Sequence, residues 1–255
     1  MGGRLNGRTV IITGASSGLG AHFARAFARE GVSHLILVAR RVDALAELAE
    51  ALTESGHSAS VLACDLSDAE SVIRFWERVS LEFPAVDTLV NNAGVASDKT
   101  TLEVDAIEFD RVMAINVRAP FLMAQGLFKH LMNQGPSAAM RGRIVNIASI
   151  AGLTVLPGAG LYCASKAALV MHTRCLARDW ARYGVNVNAI CPGFIETPLN
   201  TAYLNSSAGQ KMVTNFPRRR ILEAADLVEP LIHFCSDASE RITGSILAID
   251  DGQSL

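Results

Sequence analysis

The stretch Thr13-Gly14-Ala15-Ser16-Ser17-Gly18-Leu19-Gly20 decides how this chain folds. It is entered from the apolar run 9–13 and leaves into 18–29, where Phe23, Ala26 and Phe27 fall at helical spacing. A strand, a glycine turn and a helix in that order are what a dinucleotide site needs. Glycines permit the tight turn and a close backbone approach to a pyrophosphate, and the helix aims its free N–H groups and positive end at the phosphates. The spacing is G-x-x-x-G-x-G instead of G-x-G-x-x-G. No Lys-Ser/Thr pair follows the last glycine, so it is not a triphosphate loop. Gly14, Ser16, Ser17, Gly18, Leu19 and Gly20 are the candidate cofactor contacts here. Taken alone, a plain structural turn is the competing reading.

Outward from this turn, β-branched runs alternate with helical patterns. Strands are expected at 9–13, 34–39, 59–64, 88–91, 143–148, 186–190 and 245–249. Several are apolar at consecutive positions, as strands are when helices cover both faces of a parallel sheet. Leu45, Leu48, Ala49 and Leu52 make one stripe over 42–52, and Ser67 with Glu70 reads as the start of a further helix, Ser67 being its cap. Longer helical patterns follow Asn116 and Tyr162. The β-α order predicts right-handed crossovers and a doubly wound, Rossmann-like α/β sheet of about seven strands. No linker divides the chain, so 1–255 reads as a single domain, with a candidate substrate lid at 193–217.

The second strand bears on the choice of cofactor. An NAD site places an acid on the ribose about 20 residues after the turn. Here the window is Val38-Ala39-Arg40-Arg41, which holds no acid. Two guanidiniums can grip a 2′-phosphate, which favours NADP(H) over NAD(H). The alternative is that Arg40 and Arg41 merely begin a surface helix.

Ser149 closes the apolar run 144–148, and strand C-termini line the ligand crevice of a parallel sheet. Beyond a glycine-containing loop comes Tyr162-Cys163-Ala164-Ser165-Lys166. In a first helical turn Tyr162 and Lys166, i and i+4, share a face. A phenol titrates near ~10. A neighbouring cation and an oxidised nicotinamide would lower that value, so that Tyr162 could exchange a proton with a carbonyl or alcohol oxygen. Ser149 could hydrogen-bond the same oxygen. A Tyr and a Lys four apart also occur by chance in many helices; the weight comes from finding them with the strand-end Ser and the glycine turn.

The bulk numbers exclude other classes. The chain has 255 residues, half of them apolar, with a net charge of -2. That is enough to bury one large core, and it carries no clustered basic footprint for nucleic acid. The densest basic spot, Arg218-Arg219-Arg220, reads as a solvated loop or a local ion pair. Five cysteines without a CxxC fit reduced thiols and a cytoplasmic location. Scattered histidines give no metal site, and Val10-Ile11-Ile12 is too short for a leader or a membrane span.

With these motifs in place, the chain resembles the short-chain dehydrogenase/reductase family over nearly its whole length. The resemblance rests on Thr13–Gly20 together with Asp65-Leu66, Asn91-Asn92-Ala93-Gly94, Asn116, Ser149, Tyr162-x-x-x-Lys166 and Pro192-Gly193. It implies a Rossmann-like fold and a catalytic set of Asn116, Ser149, Tyr162 and Lys166. Tyr162 would be the general acid/base, Lys166 would lower its pKa and bind the nicotinamide ribose, and Asn116 would hold a water that links Lys166 to solvent. Asp65 and Leu66 would contact the adenine, and Asn92, Ala93 and Gly94 would lie along the cofactor. Pro192, Gly193, Ile195 and Thr197 would cradle the nicotinamide. The family's two-helix interface implies a homotetramer or homodimer built from the helices after Asn116 and Tyr162. One departure stands out: many relatives have Asp-Gly-Gly after the last strand, whereas this chain has Asp250-Asp251-Gly252-Gln253-Ser254-Leu255.

For the substrate, Ser149 and Tyr162 would meet the reacting oxygen, with Leu156, Phe194 and Tyr203 among apolar walls. The expected reaction is NADP(H)-dependent reduction of a ketone or 3-oxoacyl thioester. The alternatives are an NAD-dependent dehydrogenase of a secondary alcohol or hydroxysteroid, or, in another class, a non-catalytic nucleotide-binding scaffold.

Overall fold

The computed structural model describes residues 3–97, 99–135, 141–196 and 201–255. Its strands are β1 (Thr9–Thr13), β2 (His34–Ala39), β3 (Ala59–Ala63), β4 (Thr88–Asn91), β5 (Arg143–Ile147), β6 (Asn186–Pro192) and β7 (Ile246–Ile249). All pair in parallel in one seven-stranded sheet of order β3-β2-β1-β4-β5-β6-β7. The order reverses between β1 and β4, and the crevice at that switch point is where such sheets bind ligands.

Helices flank the sheet: α1 (Gly18–Arg29), α2 (Val42–Glu54), α3 (Ala69–Glu82), α4 (Ala106–Met113), α5 (Ala119–Gln134), α6 (Gly160–Trp180), α7 (Thr201–Leu204), α8 (Ser207–Asn215) and α9 (Val228–Cys235). The alternation along β1 shows why two layers are needed. Val10 and Ile12 pack with Phe23, Phe27, Leu45, Leu48 and Phe234 on one face. Ile11 points the other way, to the layer of Phe75, Trp76, Met123, Leu127 and Leu176. Gly126 lets α3 approach α5, because a Cβ there would lie 2.1 Å from Nε1 of Trp76.

The amino ends of the strands are closed by charge. Arg8 and Arg143 are almost fully buried. Arg8 pairs with Asp237 and lies 3.6 Å from Oδ1 of Asp87, whose other oxygen is 3.3 Å from Nε of Arg141. Burial pushes the Asp87 carboxyl up, and the guanidiniums of Arg8 and Arg141 pull it back.

Several expectations shift. The strands expected at 59–64 and 143–148 end one residue early. β6 runs on to Pro192, because Cys191 and Pro192 pair with Ala248 and Ile249. Proline is tolerated at that strand end, where no ladder donor is required. The helix expected over 42–52 continues to Glu54. The cap of α3 is Asp68, not Ser67. Asp68 accepts from the backbone N–H groups of Glu70 and Ser71, while Ser67 turns back and donates to Oδ1 of Asp65. A carboxylate one residue nearer the helix outcompetes the hydroxyl for the free N–H groups.

The region 193–217 contains the short helices α7 and α8. Arg218 and Arg220 both pair with Asp251, so the basic run is a local ion-pair site. After β7, the carboxylate of Asp250 folds the following residues around itself, accepting from the backbone N–H groups of Gly252 and Ser254 and from the Ser254 hydroxyl.

Candidate active site

A cleft of about 420 Å³ opens at the carboxyl ends of β1, β2, β3 and β4. Its walls include Gly14, Ser16, Ser17, Gly18, Leu19, Arg40, Arg41, Asp65, Leu66, Asn92, Ala93 and Gly94. The glycine turn shapes it. Gly14 has φ +68, and a Cβ there would lie 2.9 Å from Cα of Ala93, so only glycine lets β1 and β4 diverge this closely. Ser17 caps α1 without a side-chain hydrogen bond, which leaves the first-turn N–H groups for an incoming anion. These features fit a dinucleotide. The pyrophosphate would sit on the turn and the α1 N-terminus, and the adenine between Asp65-Leu66 and the end of β2.

Not every expected contact faces this cleft. Gly20 is buried and packs on the turn itself, its Cβ position 2.3 Å from the carbonyl oxygen of Gly14. The Asn92 amide donates to the carbonyl of Thr13 at 2.9 Å, so Asn92 braces the turn as well as bordering the cleft. The hydroxyl of Thr13, absent from the expected set, receives the N–H groups of Asn92 and Ala93 at 3.0 and 3.1 Å. Ala39, Cys64, Ser67, Val95 and Ile115 also line the cleft; as small or apolar groups they carry no motif signal.

Arg41 reaches across to the turn, its Nη2 at 3.1 Å from Oγ of Ser16 and 2.9 Å from Oγ of Ser17. Arg40 is exposed at the cleft edge, near enough to Asp65 to help hold that carboxyl below its usual range, after the hydrogen bonds from Ser67.

The reactive corner lies at the ends of β5 and β6. Ser149 begins a 3-10 turn, Ile150–Gly152, and accepts from the N–H of Ala151 at 3.1 Å. The first two turns of α6 present Tyr162 and Lys166 as the i, i+4 spacing requires. Nζ of Lys166 lies 5.7 Å from the centroid of the Tyr162 ring and donates to the carbonyl of Ile147 at 2.9 Å. Burial pushes the Tyr162 phenol above its usual value, and a hydrogen bond with Ser149 pulls it back. Burial brings Lys166 down to about 8. Cys191, beneath the same corner, is pushed up to about 11 by burial.

Asn116 sits in a turn of π-helix, Ala114–Arg118, joining α4 to α5. Its amide donates to the carbonyl of Val95 and to Oγ of Ser165, and its oxygen accepts from the N–H of Val95 at 2.9 Å. Both amide donors are therefore committed to protein partners. A Cβ on Gly94 would lie 3.4 Å from Nζ of Lys166 and 3.5 Å from Oδ1 of Asn116, so that glycine keeps a small space open between the two.

The other expected residues are less closely joined. Ile195 turns its side chain into the core and pairs with Leu222, so only its backbone can border a nicotinamide. Pro192 is buried in β6, and Gly193 donates to the carbonyl of Ile249. Thr197 lies outside the described residues. Phe194 meets Phe216 with ring centroids 5.6 Å apart. Leu156 is half-buried, its carbonyl near Sγ of Cys163. Tyr203 is 47% exposed and turns its hydroxyl toward Met212, not toward Ser149 or Tyr162. Among the described residues no His/Cys/Asp/Glu group is arranged to hold a metal ion, and no helix is long and apolar enough to cross a membrane.

A dinucleotide cleft at the switch point, beside a Ser-Tyr-Lys corner, defines a nicotinamide-dependent oxidoreductase. A family model described as short chain dehydrogenase matches residues 8–207, and the chain belongs to that family. It is 34% identical over 253 residues to cis-4-hydroxycyclohexanecarboxylate dehydrogenase of Sinomonas cyclohexanicum, covering 99% of this chain and 98% of that protein. It is 30% identical to the 3-oxoacyl-(acyl-carrier-protein) reductase FabG of Thermotoga maritima, with 98% of each covered. A gluconate 5-dehydrogenase from Burkholderia cenocepacia J2315, solved with NADP and tartrate, superposes with a TM-score of 0.92 at 29% identity, covering 98% of this chain and 96% of that one. The protein is thus an oxidoreductase acting between CH–OH and carbonyl groups with a nicotinamide cofactor.

Proposed function

We propose that the protein uses NADP(H) in preference to NAD(H) and reduces an apolar ketone or 3-oxoacyl thioester. The observation that carries the cofactor preference is the position of Arg40 and Arg41 at the rim of the cleft, with Arg41 held on Ser16 and Ser17. A 2′-phosphate lying there would meet two guanidiniums and two hydroxyls. The similar B. cenocepacia enzyme was solved with NADP, which supports the reading. For the substrate, the Phe194–Phe216 pair supports an apolar wall, and the FabG relative supports a 3-oxoacyl group.

In this reading the cofactor, when bound, supplies or accepts the hydride at nicotinamide C4. The protein's part is position and a proton. Ser149 hydrogen-bonds the substrate oxygen and Tyr162 delivers its proton to that oxygen in reduction, or withdraws one in oxidation. The Tyr162 phenol, raised by burial and drawn back by Ser149, carries its proton near neutral pH. Lys166 orients the nicotinamide ribose and adds positive charge beside the phenol. Asn116 fixes the segment at Val95 so that Gly94 and Lys166 face one space. The segment 193–217, of which 197–200 lie outside the described residues, is the proposed substrate cover. The molecule works in the cytoplasm, where its five unpaired cysteines stay reduced. It assembles as a homodimer or homotetramer through α5 and α6, a view supported by Met171, 55% exposed on α6.

The deciding experiment is fluorescence titration of the protein with NADPH and with NADH. Tight NADPH with weak NADH is the expected result. A preference for NADH would overturn the 2′-phosphate reading and turn the substrate search to secondary alcohols and hydroxysteroids.

A further inference from the structure

The residues after β7 were the part of the sequence that departed from the family pattern, and in the structure they reach the reactive corner. Oε1 of Gln253 accepts the backbone N–H of Phe194 at 2.7 Å. Nε2 of the same amide donates to the carbonyl of Arg220 at 3.3 Å. Gln253 is therefore clamped between the exit of β6 and the segment that returns past Phe216.

Three features show that this clamp is built. First, Gly193 makes room for it: a Cβ on Gly193 would lie 2.4 Å from Oε1 of Gln253 and 2.9 Å from Cα of Asp250. Second, the turn that carries Gln253 is fixed from both sides. Asp250 gathers Gly252 and Ser254, and Asp251, at φ +55, pairs with Arg218 at 3.0 Å and Arg220 at 2.7 Å. Third, the two strands of chain that Gln253 joins also meet each other. The N–H of Leu222 donates to the carbonyl of Phe194 at 2.9 Å, and the Phe194 and Phe216 rings are in contact. Both backbone polar groups of Phe194 are thus committed, one of them to a side chain 59 positions later.

We infer that Gln253 is a positioning residue: its amide fixes the backbone of Phe194 and so sets the Phe194–Phe216 wall against which the substrate is held. The inference rests on the reading of that wall as part of the substrate site. It assigns no contact between Gln253 and substrate or cofactor.

The test compares Gln253→Met, which keeps length and bulk but loses the acceptor, with Gln253→Glu, which keeps an acceptor oxygen for Phe194. Amide hydrogen exchange at Phe194 and steady-state reduction of ethyl acetoacetate by NADPH are measured on each. In Gln253→Met the Phe194 amide is expected to lose protection and KM for the ketone to rise about 2–10-fold, the scale of one lost hydrogen bond. kcat should change by less than about 2-fold, because the proton and hydride geometry is untouched. Gln253→Glu should return both readouts close to those of the unaltered protein. An unchanged Phe194 amide in Gln253→Met overturns the inference, as does a deprotected amide with unchanged KM. Equal loss in both variants with a lowered melting temperature would also overturn it, because the residue would then be merely structural. If the unaltered protein reduces no ketone, the substrate reading fails, and exchange at Phe194 still decides whether Gln253 holds that backbone.

Discussion

A Cβ placed on Gly152 would lie 2.7 Å from the carbonyl oxygen of Lys166. The turn that carries Ser149 therefore rests directly on the backbone of the helix that carries Tyr162 and Lys166. Gly152→Ala has to push these two apart. Backbone against backbone cannot yield as a flexible side chain would. We expect a loss of stability of about 1–3 kcal/mol and a fall in kcat/KM of roughly 10–100-fold through displacement of Ser149. Thermal melts and turnover on one preparation check both; full turnover in the variant would show that the contact does not set the catalytic geometry.

Tyr162→Phe removes the proposed proton donor and little else. The expected outcome is a fall in kcat of about 10²–10⁴-fold, with NADPH affinity changed by less than about 2-fold. Turnover near that of the unaltered protein would remove Tyr162 from the acid/base role.

The two arginines at the cleft rim differ in how they are held. Arg41 is anchored on the turn by Ser16 and Ser17, whereas Arg40 is exposed beside Asp65. Arg40→Ala should weaken NADPH much more than NADH. Arg41→Ala should do the same and also loosen the serines, weakening both cofactors to some degree. Equal losses of NADPH and NADH in Arg40→Ala would argue against a 2′-phosphate contact.

Lys166 gives a pH dependence of stability. In the fold it titrates at about 8, against an ordinary lysine value near 10.5. Between those values the unfolded chain binds the extra proton, so stability rises with pH across that window. Below about 8 both states are charged and the burial penalty is present in full. Relative to Lys166→Met, the unaltered protein should therefore gain on the order of 2–3 kcal/mol from pH 7 to pH 10.5. The comparison with the variant matters because Cys191 and Cys235, pushed up to about 11 and about 12, lose stability over part of the same range. Urea titrations across the window read the difference; a gap between the two proteins that stays constant with pH would contradict a Lys166 that gives up its proton in the fold above about pH 8.

The cap of α3 can be separated from its neighbour in the same way. Asp68→Ala should cost about 1 kcal/mol, while Ser67→Ala should cost less, since Ser67 bonds Asp65 and no helix N–H. The reverse order in denaturant midpoints would restore Ser67 as the cap.

The features legible in the sequence were those with a local cause. β1, the glycine turn and α1 follow from apolar period and glycine placement within one stretch, and their bounds agree with the structure. The Tyr162–Lys166 pair was legible because i, i+4 spacing fixes a shared face whatever lies around it. What was not legible depended on contacts between distant segments. The side chain of Asn116 is committed by Val95 and Ser165, and Ile195 is drawn into the core by Leu222, partners that no spacing announces. Gly20 reads as a cofactor contact from its place in the turn, and in the fold it also packs on the carbonyl of Gly14, a contact that the spacing does not announce. The α3 cap falls on Asp68 for a finer reason. Asp65, Ser67 and Asp68 are all competent hydrogen-bonding residues within four positions, and only the path of the chain out of β3 decides which of them meets the helix.

The π-turn at Ala114–Arg118 has a mechanical consequence. A turn that holds one residue more than its neighbours rotates everything downstream by about 100° about the helix axis. α4 and α5 are therefore one rod with a built-in phase offset, and the offset is what brings Asn116 round to Val95 while Ala119, Met123 and Leu127 still face the sheet. Removing a single residue from 114–118 would straighten the rod into an unbroken α-helix. It would then be able to serve either the sheet or the reactive corner, but not both.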